Sequence, residues 1–394
     1  MRVRSLSLSV LGLTLVAAVP SARAGDPMFD PTRLHEMRIV MDPGDWTSLQ
    51  REFLSNQYYA ANFSLDGEVL EQIGIRSRGK GSRNGVKPGL LLDTNKYVAN
   101  QEFHGVKKLV LDNVIQDNTF LKEPLAYPVF EAMGIASPQI SYVRVTVNDQ
   151  YWGVFWLIEN IDKNFLAKRF AGDKEGNLYK LEYVEDYRFT DKGSDPRGYF
   201  PILKPESPAS PDGSGLVKFI QTANSAPEAG FAAAMAPFLD VDKFLTYIAV
   251  ENAIAEQDGF VGLQGMNNFY VYQFAGTTRF QFIPWDQDTS FVSSDFPVMQ
   301  RVDTNVLTKK LLADPAKKQV YLDAIKATTA RAMNAAFLVP KIEAYYALMR
   351  NSVLEDTKSP GPMSSSSRAW KGSRASSAGG PPPWPPRSPD LVIA

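Results

Sequence analysis

Asp286 and Asp288 stand one residue apart at the end of an apolar run, Phe282-Ile283-Pro284-Trp285. A buried strand gains nothing from a carboxylate unless a cation meets it. Three other pieces precede this pair. The stretch RGKGSRNG, 78–85, carries Gly79, Gly81 and Gly85 and is followed by Lys87. Asp258 follows a helical pattern and is followed by Gly259. Asn268 opens the strand-like run NFYVY. Phosphoryl transfer uses pieces in this order: bare loop amides over phosphates, a lysine against their charge, and an aspartate that orients or deprotonates the attacking hydroxyl. An amide and a carboxylate then hold a hard cation. On this reading the cation that meets Asp286 is Mg²⁺ or Mn²⁺ on the phosphates of ATP. Asp258, expected at the negative end of a helix dipole, should have a raised proton affinity, which suits a general base. Each piece also has a plain structural reading. The glycines suit a turn, Lys87 a solvated lysine, Asp258-Gly259 a turn, Asn268 a strand cap, and Asp286/Asp288 an Asx-turn or a calcium site.

Composition narrows the alternatives. Cysteine is absent, so disulfides, thiol nucleophiles and cysteine-based metal sites are excluded. The two histidines, His35 and His104, leave almost no room for a multi-histidine zinc site. The formal charge is −1, and removal of Arg2, Arg4 and Arg23 with an N-terminal leader leaves −4. No basic run points to nucleic acid. Residues 1–24 read as a secretory signal peptide: a basic start, an apolar Leu6–Val19 stretch and the small-residue site Ser21-Ala22-Arg23-Ala24. Export to the periplasm or cell surface follows as the expectation. No later stretch is long enough for a membrane span. The lack of an obvious coiled coil favours a monomer.

The elements that must position these residues follow from pattern. Residues 37–41 read as a strand and 43–53 as a helix capped by Asp45. Asp66-Gly67 marks a hairpin. Strands are expected in VKPGLLLD and VKKLVLDN, and a bent or broken helix over 117–134, disturbed by Pro124 and Pro128 and closed by Gly134. Residues 142–160 form a hairpin about Asn148-Asp149, with a short helix at 162–170. The Pro-, Gly- and Ser-rich segment 184–214 reads as an inserted loop. A helix is expected over 240–259, a hairpin about Ala275-Gly276, and further helix over 306–350. The segment 359–394, rich in Ser, Pro and Gly, reads as a disordered tail. Its abrupt composition suits either a tail or the product of a shifted reading frame.

These segments resemble the CotH kinase family, named for a bacterial spore coat protein. The matching stretches run through IRSRGKGSRNGVKPGLLLDTNKY, GVKKLVLDNVIQDNTFLKEPLAYPVFEAMG, VRVTVNDQYWGVFWLIENIDKNFL and YIAVENAIAEQDGF to MNNFYVYQFAGTTRFQFIPWDQDTSF. The resemblance implies an α+β, atypical protein-kinase-like fold of two lobes: a β-rich N-lobe, about 35–160, and a mixed, more helical C-lobe, about 161–358, within a domain of 25–358. It implies phosphorylation of Ser or Thr on an extracytoplasmic or surface protein, with ATP and Mg²⁺ or Mn²⁺. Carried over by motif, Asp258 and Lys87 are catalytic. Gly79, Gly81, Arg78, Lys87 and Glu159 bind the nucleotide, and Asn268, Asp286 and Asp288 hold metal. Glu159-Asn160 would be the inter-lobe connector, with Phe155 and Leu157 near adenine or in the core. Glu123 is the obvious acidic partner for Lys87. Arg76, Arg78, Lys80 and Arg83 would add positive potential.

The chain departs from ordinary protein kinases in three respects. The gap from Asp258 to Asn268 exceeds the usual about five residues. DQD stands in place of DFG, and the glycine pattern is G-x-G-x-x-x-G. Two other readings remain: a non-catalytic surface or matrix binding protein on the same fold, and a metal-dependent carbohydrate or phosphoester enzyme. The second leaves the ordered Lys-Asp-Asn-Asp set unexplained.

Overall fold

The computed structural model describes residues 26–359. The leader and nearly all of the expected tail lie outside the described residues. The first half of the chain is a run of strands. These are β1 (Leu34–Met41), β2 (Tyr59–Leu65), β3 (Glu68–Arg78), β4 (Gly89–Asp93), β5 (Lys108–Asp112), β6 (Ile140–Val147) and β7 (Gln150–Ile158). They close into a barrel in the order β1-β2-β3-β4-β5-β7-β6, sealed by parallel pairing of β1 with β6. Closure leaves no unpaired edge. Alternation decides the faces. In β1, buried Met37, Ile39 and Met41 interleave with exposed residues and join Phe63, Ile75, Leu92 and Val145 in the barrel core. The tight turns form where short polar pairs permit positive φ: Asp66 and Gly67 at 52° and 91°, Asn148 and Asp149 at 48° and 62°.

Two helices belong to this half. Helix α1 (Pro43–Arg51) is capped by Asp42, which accepts from the N–H groups of Gly44 and Asp45. Asp45 is not the cap, because Pro43 occupies the first helical position, where a missing N–H costs nothing. Helix α2 (Lys122–Ala132) is continuous. Pro124 lies in its first turn, where N–H groups have no intrahelical acceptor. Residues 117–121 instead form a cap, with Asp117 accepting from the N–H groups of Leu121 and Lys122.

The second half holds α3 (Lys163–Arg169), β8 (Asn177–Leu181), β9 (Leu203–Ser207), α4 (Ser214–Ser225), α5 (Phe231–Met235), α6 (Val241–Ala253), β10 (Phe269–Gln273), β11 (Phe280–Pro284), α7 (Val306–Ala313), α8 (Pro315–Arg331) and α9 (Ala335–Glu355). Its sheet runs β11-β10-β8-β9. Two expectations are corrected here. The segment 184–214 is not all loop, since it supplies β9, an edge strand that tolerates Pro205. Helix α6 ends at Ala253, not near 259. Ala255 turns left-handed, at φ 54°, and the chain leaves the helix axis. Asp258 therefore gains nothing from a helix terminus. A second core of Tyr127, Phe130, Trp156, Tyr179, Phe244, Phe260 and Phe282 joins α2, one face of β7 and the second sheet. Phe155 and Leu157, on the opposite face of β7, belong to the barrel core rather than to a nucleotide pocket. Among the described residues no helix is long and apolar enough to cross a membrane.

Candidate active site

The β10–β11 hairpin builds the centre. Phe269 pairs with Pro284, so the residues just beyond, Asn268 and Asp286, emerge together at one end. The Trp285 N–H donates to the Asn268 carbonyl at 3.1 Å. Both Asn268 and Asp286 hold positive φ, 57° and 55°, which Asn and Asp tolerate best among residues with a side chain. The loop after α6 brings the third member. Asp258 Oδ2 accepts from Asn267 Nδ2 at 2.8 Å and from Asn268 Nδ2 at 3.2 Å. Burial raises the Asp258 pKa against these two bonds.

Two buried glutamates shape that loop. Glu251 accepts from the Phe260 N–H with both oxygens, 3.1 and 3.0 Å, and burial pushes its pKa up to about 8. A side chain on Gly259 would run into the Glu251 carboxyl, 2.7 Å away. Glu256 accepts from the Asp258 N–H at 2.7 Å, from Ser290 Oγ at 2.6 Å and from Thr289 Oγ1. It thus ties the Asp258 loop to the segment behind Asp286 and Asp288.

Asp286 is half-buried. Among the described residues its carboxylate accepts no hydrogen bond and has no cation within 4.0 Å, although the Asp286 N–H donates to Tyr127 Oη at 3.3 Å. Burial, reinforced by Asp112 and Asp258 and offset by Arg78 and Lys180, pushes its pKa up to about 6. Asp288 is buried, with one long contact from Gln116 Nε2 at 3.5 Å. Burial and the neighbouring Asp286 hold its pKa well above the carboxylate range. Glu123 of α2 is also buried. One oxygen accepts from Tyr127 Oη and from the Gln287 N–H at 3.3 Å, and the other has no hydrogen-bond partner among the described residues. It braces the Asp286 turn and does not pair with Lys87.

Lys87 is placed elsewhere. Its ammonium is fully enclosed, donating to the Val154 carbonyl and to Asp356 Oδ2, each at 2.8 Å, with the Phe155 ring 4.7 Å away. A group held in this way has no face left for a phosphate. Glu159 is likewise corrected. It is buried and pinned by Arg169 at 2.9 Å and by the Gln139 N–H at 3.1 Å, so it is a structural brace.

The glycine-rich loop divides in the same way. Gly79, at φ 107°, leaves no room for a side chain beside Ser82 Oγ. Gly81 is open, with only Gln116 Oε1 near, at 3.8 Å. Gly85 packs against the Gln50 carbonyl of α1, so its role is close approach rather than phosphate contact. Arg83 is spent on the carbonyls of Gly79 and Leu54, and Arg76 on Asn56 and the Ser77 carbonyl. Arg78 does reach the centre. It pairs with buried Asp112 at 3.0 Å and lies 5.9 Å from the Trp285 ring. Exposed Lys80 bridges to the second half of the chain, donating to the Tyr183 carbonyl at 3.0 Å.

Sequence reading missed Asp112, Lys180 and Glu256. Asp112 ends a strand in the same manner as Asp286, and that was the available signal. Lys180 lies in the short run NLYKL, which carries none.

Metal fit follows from these geometries. Among the described residues no three Asp, Glu, His or Cys side chains form a group that could hold a metal ion. Mg²⁺ does not require such a cage, since it keeps waters and takes one or two carboxylates plus substrate phosphates. Asp286 offers a carboxylate without a donor or cation. Asn268, whose amide N–H points at Asp258, leaves its oxygen for a ligand. These oxygen donors fit a hard cation.

Residues 75–374 match the family model described as CotH kinase protein. Inner spore coat protein H of Bacillus subtilis (strain 168) is 24% identical over 345 residues, covering 84% of this chain and 90% of that protein. Two solved structures show more distant likeness. The Shewanella oneidensis MR-1 toxin–antitoxin complex of HipA, HipB and operator DNA has 12% identity and a TM-score of 0.29, over 75% of this chain and 63% of the matched chain. The Helicobacter pylori proinflammatory kinase CtkA has 10% identity and a TM-score of 0.30, over 72% and 94%. The chain therefore spans less than two thirds of the first of these two structures, and neither likeness assigns a residue.

Proposed function

Because this chain belongs to the CotH kinase family, we propose that it is an extracytoplasmic protein kinase, passing the γ-phosphoryl group of ATP to a Ser or Thr hydroxyl of a secreted or surface protein. The observation that carries this reading is the Asp258–Asn268–Asp286 cluster, in which one carboxylate is held by amides and the other, among the described residues, has no hydrogen-bond donor and no cation within 4.0 Å. Asp258 accepts the proton of the acceptor hydroxyl as its oxygen bonds to the γ-phosphorus, and the bond to the β-phosphate oxygen breaks to release ADP. Asn267 and Asn268 hold Asp258 Oδ2, which leaves Oδ1 for that proton. Asn268 and Asp286, with Asp288 behind them, would hold Mg²⁺ or Mn²⁺, which when bound neutralises phosphate charge. Arg78 and the open backbone at Gly81 would face the phosphates, with Gly79 shaping the turn before it.

One observation favours a second reading, a non-catalytic binding protein on this fold: the lysine the family motif points to is locked away. Incubation of the chain with γ-labelled ATP, Mg²⁺ and dephosphorylated casein separates the two. Label in casein or in the chain itself, abolished by EDTA, is expected. A folded chain that labels neither supports the second reading.

A further inference from the structure

With Lys87 enclosed, the phosphates need another cation. We propose that Lys180 is the phosphate-binding lysine of this site, reaching across from the second lobe to a nucleotide polyphosphate held jointly with Arg78. The inference rests on the kinase reading for the identity of the ligand, but its geometry stands apart from it.

Lys180 lies in β8, flanked by Tyr270 of β10 and Lys204 of β9. Its ammonium is 5.8 Å from the Tyr270 ring and 5.9 Å from the Trp285 ring. Arg78, from β3 of the barrel, is 5.9 Å from that same Trp285 ring. The residue directly before Asp286 is therefore approached by two cations, one from each lobe. Arg78 already has a partner in Asp112. Lys180 has none: among the described residues its ammonium makes no hydrogen bond and has no carboxylate within 4.0 Å. Glu182, Glu206 and Asp286 act on it only from farther away, while burial and Arg78 oppose its charge.

Lys180 is half-buried, and drawing a cation away from water without a hydrogen bond or carboxylate is unfavourable. The nearby Arg78 guanidinium adds repulsion. Lys180 and Arg78, converging on Trp285 next to Asp286, suit a bound anion. One carboxylate or sulfate would satisfy one cation. A chain of phosphates satisfies both, and its oxygens also complete the coordination of a metal at Asp286.

The test uses the whole chain and three probes: Mg·ATP, inorganic triphosphate without metal, and adenosine. Lys180→Met should weaken ATP and triphosphate about 10- to 100-fold, the range of a charge-assisted hydrogen bond. Adenosine affinity should not change, and Lys180→Arg should restore most of the loss. The unliganded Lys180→Met protein should melt no lower than wild type, because a half-buried charge with no hydrogen bond or carboxylate has been removed. A structural lysine would instead lower the melting temperature and weaken all three probes alike. If Lys180→Met binds ATP and triphosphate as wild type does, the assignment falls and the kinase reading stands. If wild type binds triphosphate through Lys180 yet transfers no phosphate, the kinase reading falls and the assignment stands. If wild type binds neither ATP nor triphosphate, both fall.

Discussion

Asp258→Asn should lower the rate of phosphoryl transfer by about 10²–10⁴-fold, the usual contribution of a positioned general base. Nucleotide affinity should stay within about threefold, since on the proposed reading Asp258 would face the acceptor hydroxyl rather than the phosphates. The substitution preserves shape, and the new amide oxygen can still accept from Asn267 and Asn268. What is lost is the proton acceptor. Burial raises the proton affinity of this carboxylate, which favours that role. Single-turnover transfer and nucleotide titration on the same preparation measure the two quantities separately. Transfer within tenfold of wild type would remove Asp258 from the chemistry.

Lys87→Met should destabilise the fold by about 3–5 kcal/mol, the cost of breaking a buried ion pair by removing one partner. The pair is enclosed at both ends, with side-chain exposures of 0% and 1%. The surroundings are built for it. Gly153, at φ 112°, sits where any side chain would occupy the space of the Asp356 carboxylate. Arg144 holds Glu355 at 2.7 Å, and Tyr151 Oη donates to the Ser352 carbonyl at 2.8 Å. Together these contacts fasten the end of α9 to the barrel. Replacing both partners by apolar residues, Lys87→Met with Asp356→Leu, should recover much of the loss, because no charge is then stranded. Urea unfolding of the single and double variants checks both statements. A Lys87→Met protein as stable as wild type, defective only in ATP affinity, would return Lys87 to the nucleotide site.

These two residues mark what could be read from sequence. Asn268 and Asp286 could be picked out because they flank strands with clear patterns, whereas Asp258 lies in the loop after α6, away from the helix end expected for it. The β10–β11 hairpin alternates, and its register delivers Asn268 and Asp286 side by side. The turns at Asp66-Gly67 and Asn148-Asp149 were legible because few residue pairs accept positive φ. The fate of Lys87 was not, because its partner lies 269 residues away, at the foot of α9. Glu159 failed for a related reason: its role depends on Arg169 turning back from α3. The exit of α6 at Ala253 was hidden because Ile254 continues the apolar period while the backbone does not. Strand β9 was masked by the Pro and Ser that its edge position allows. Lys180 carries no local signal at all; only the packing of β8 beside Trp285 makes it stand out.

The central claim is that Asp286 is the carboxylate through which metal and nucleotide bind together. Calorimetric titration of ATP into the chain, with and without Mg²⁺, tests it most directly, with Asp286→Asn run in parallel. The titration belongs at pH 7.5, above the value of about 6 to which this carboxyl is pushed, so that the wild-type group is ionised. The account predicts tight binding that requires Mg²⁺ in wild type, and loss of the Mg²⁺-dependent part in Asp286→Asn. Equal, metal-dependent binding by both proteins would contradict it.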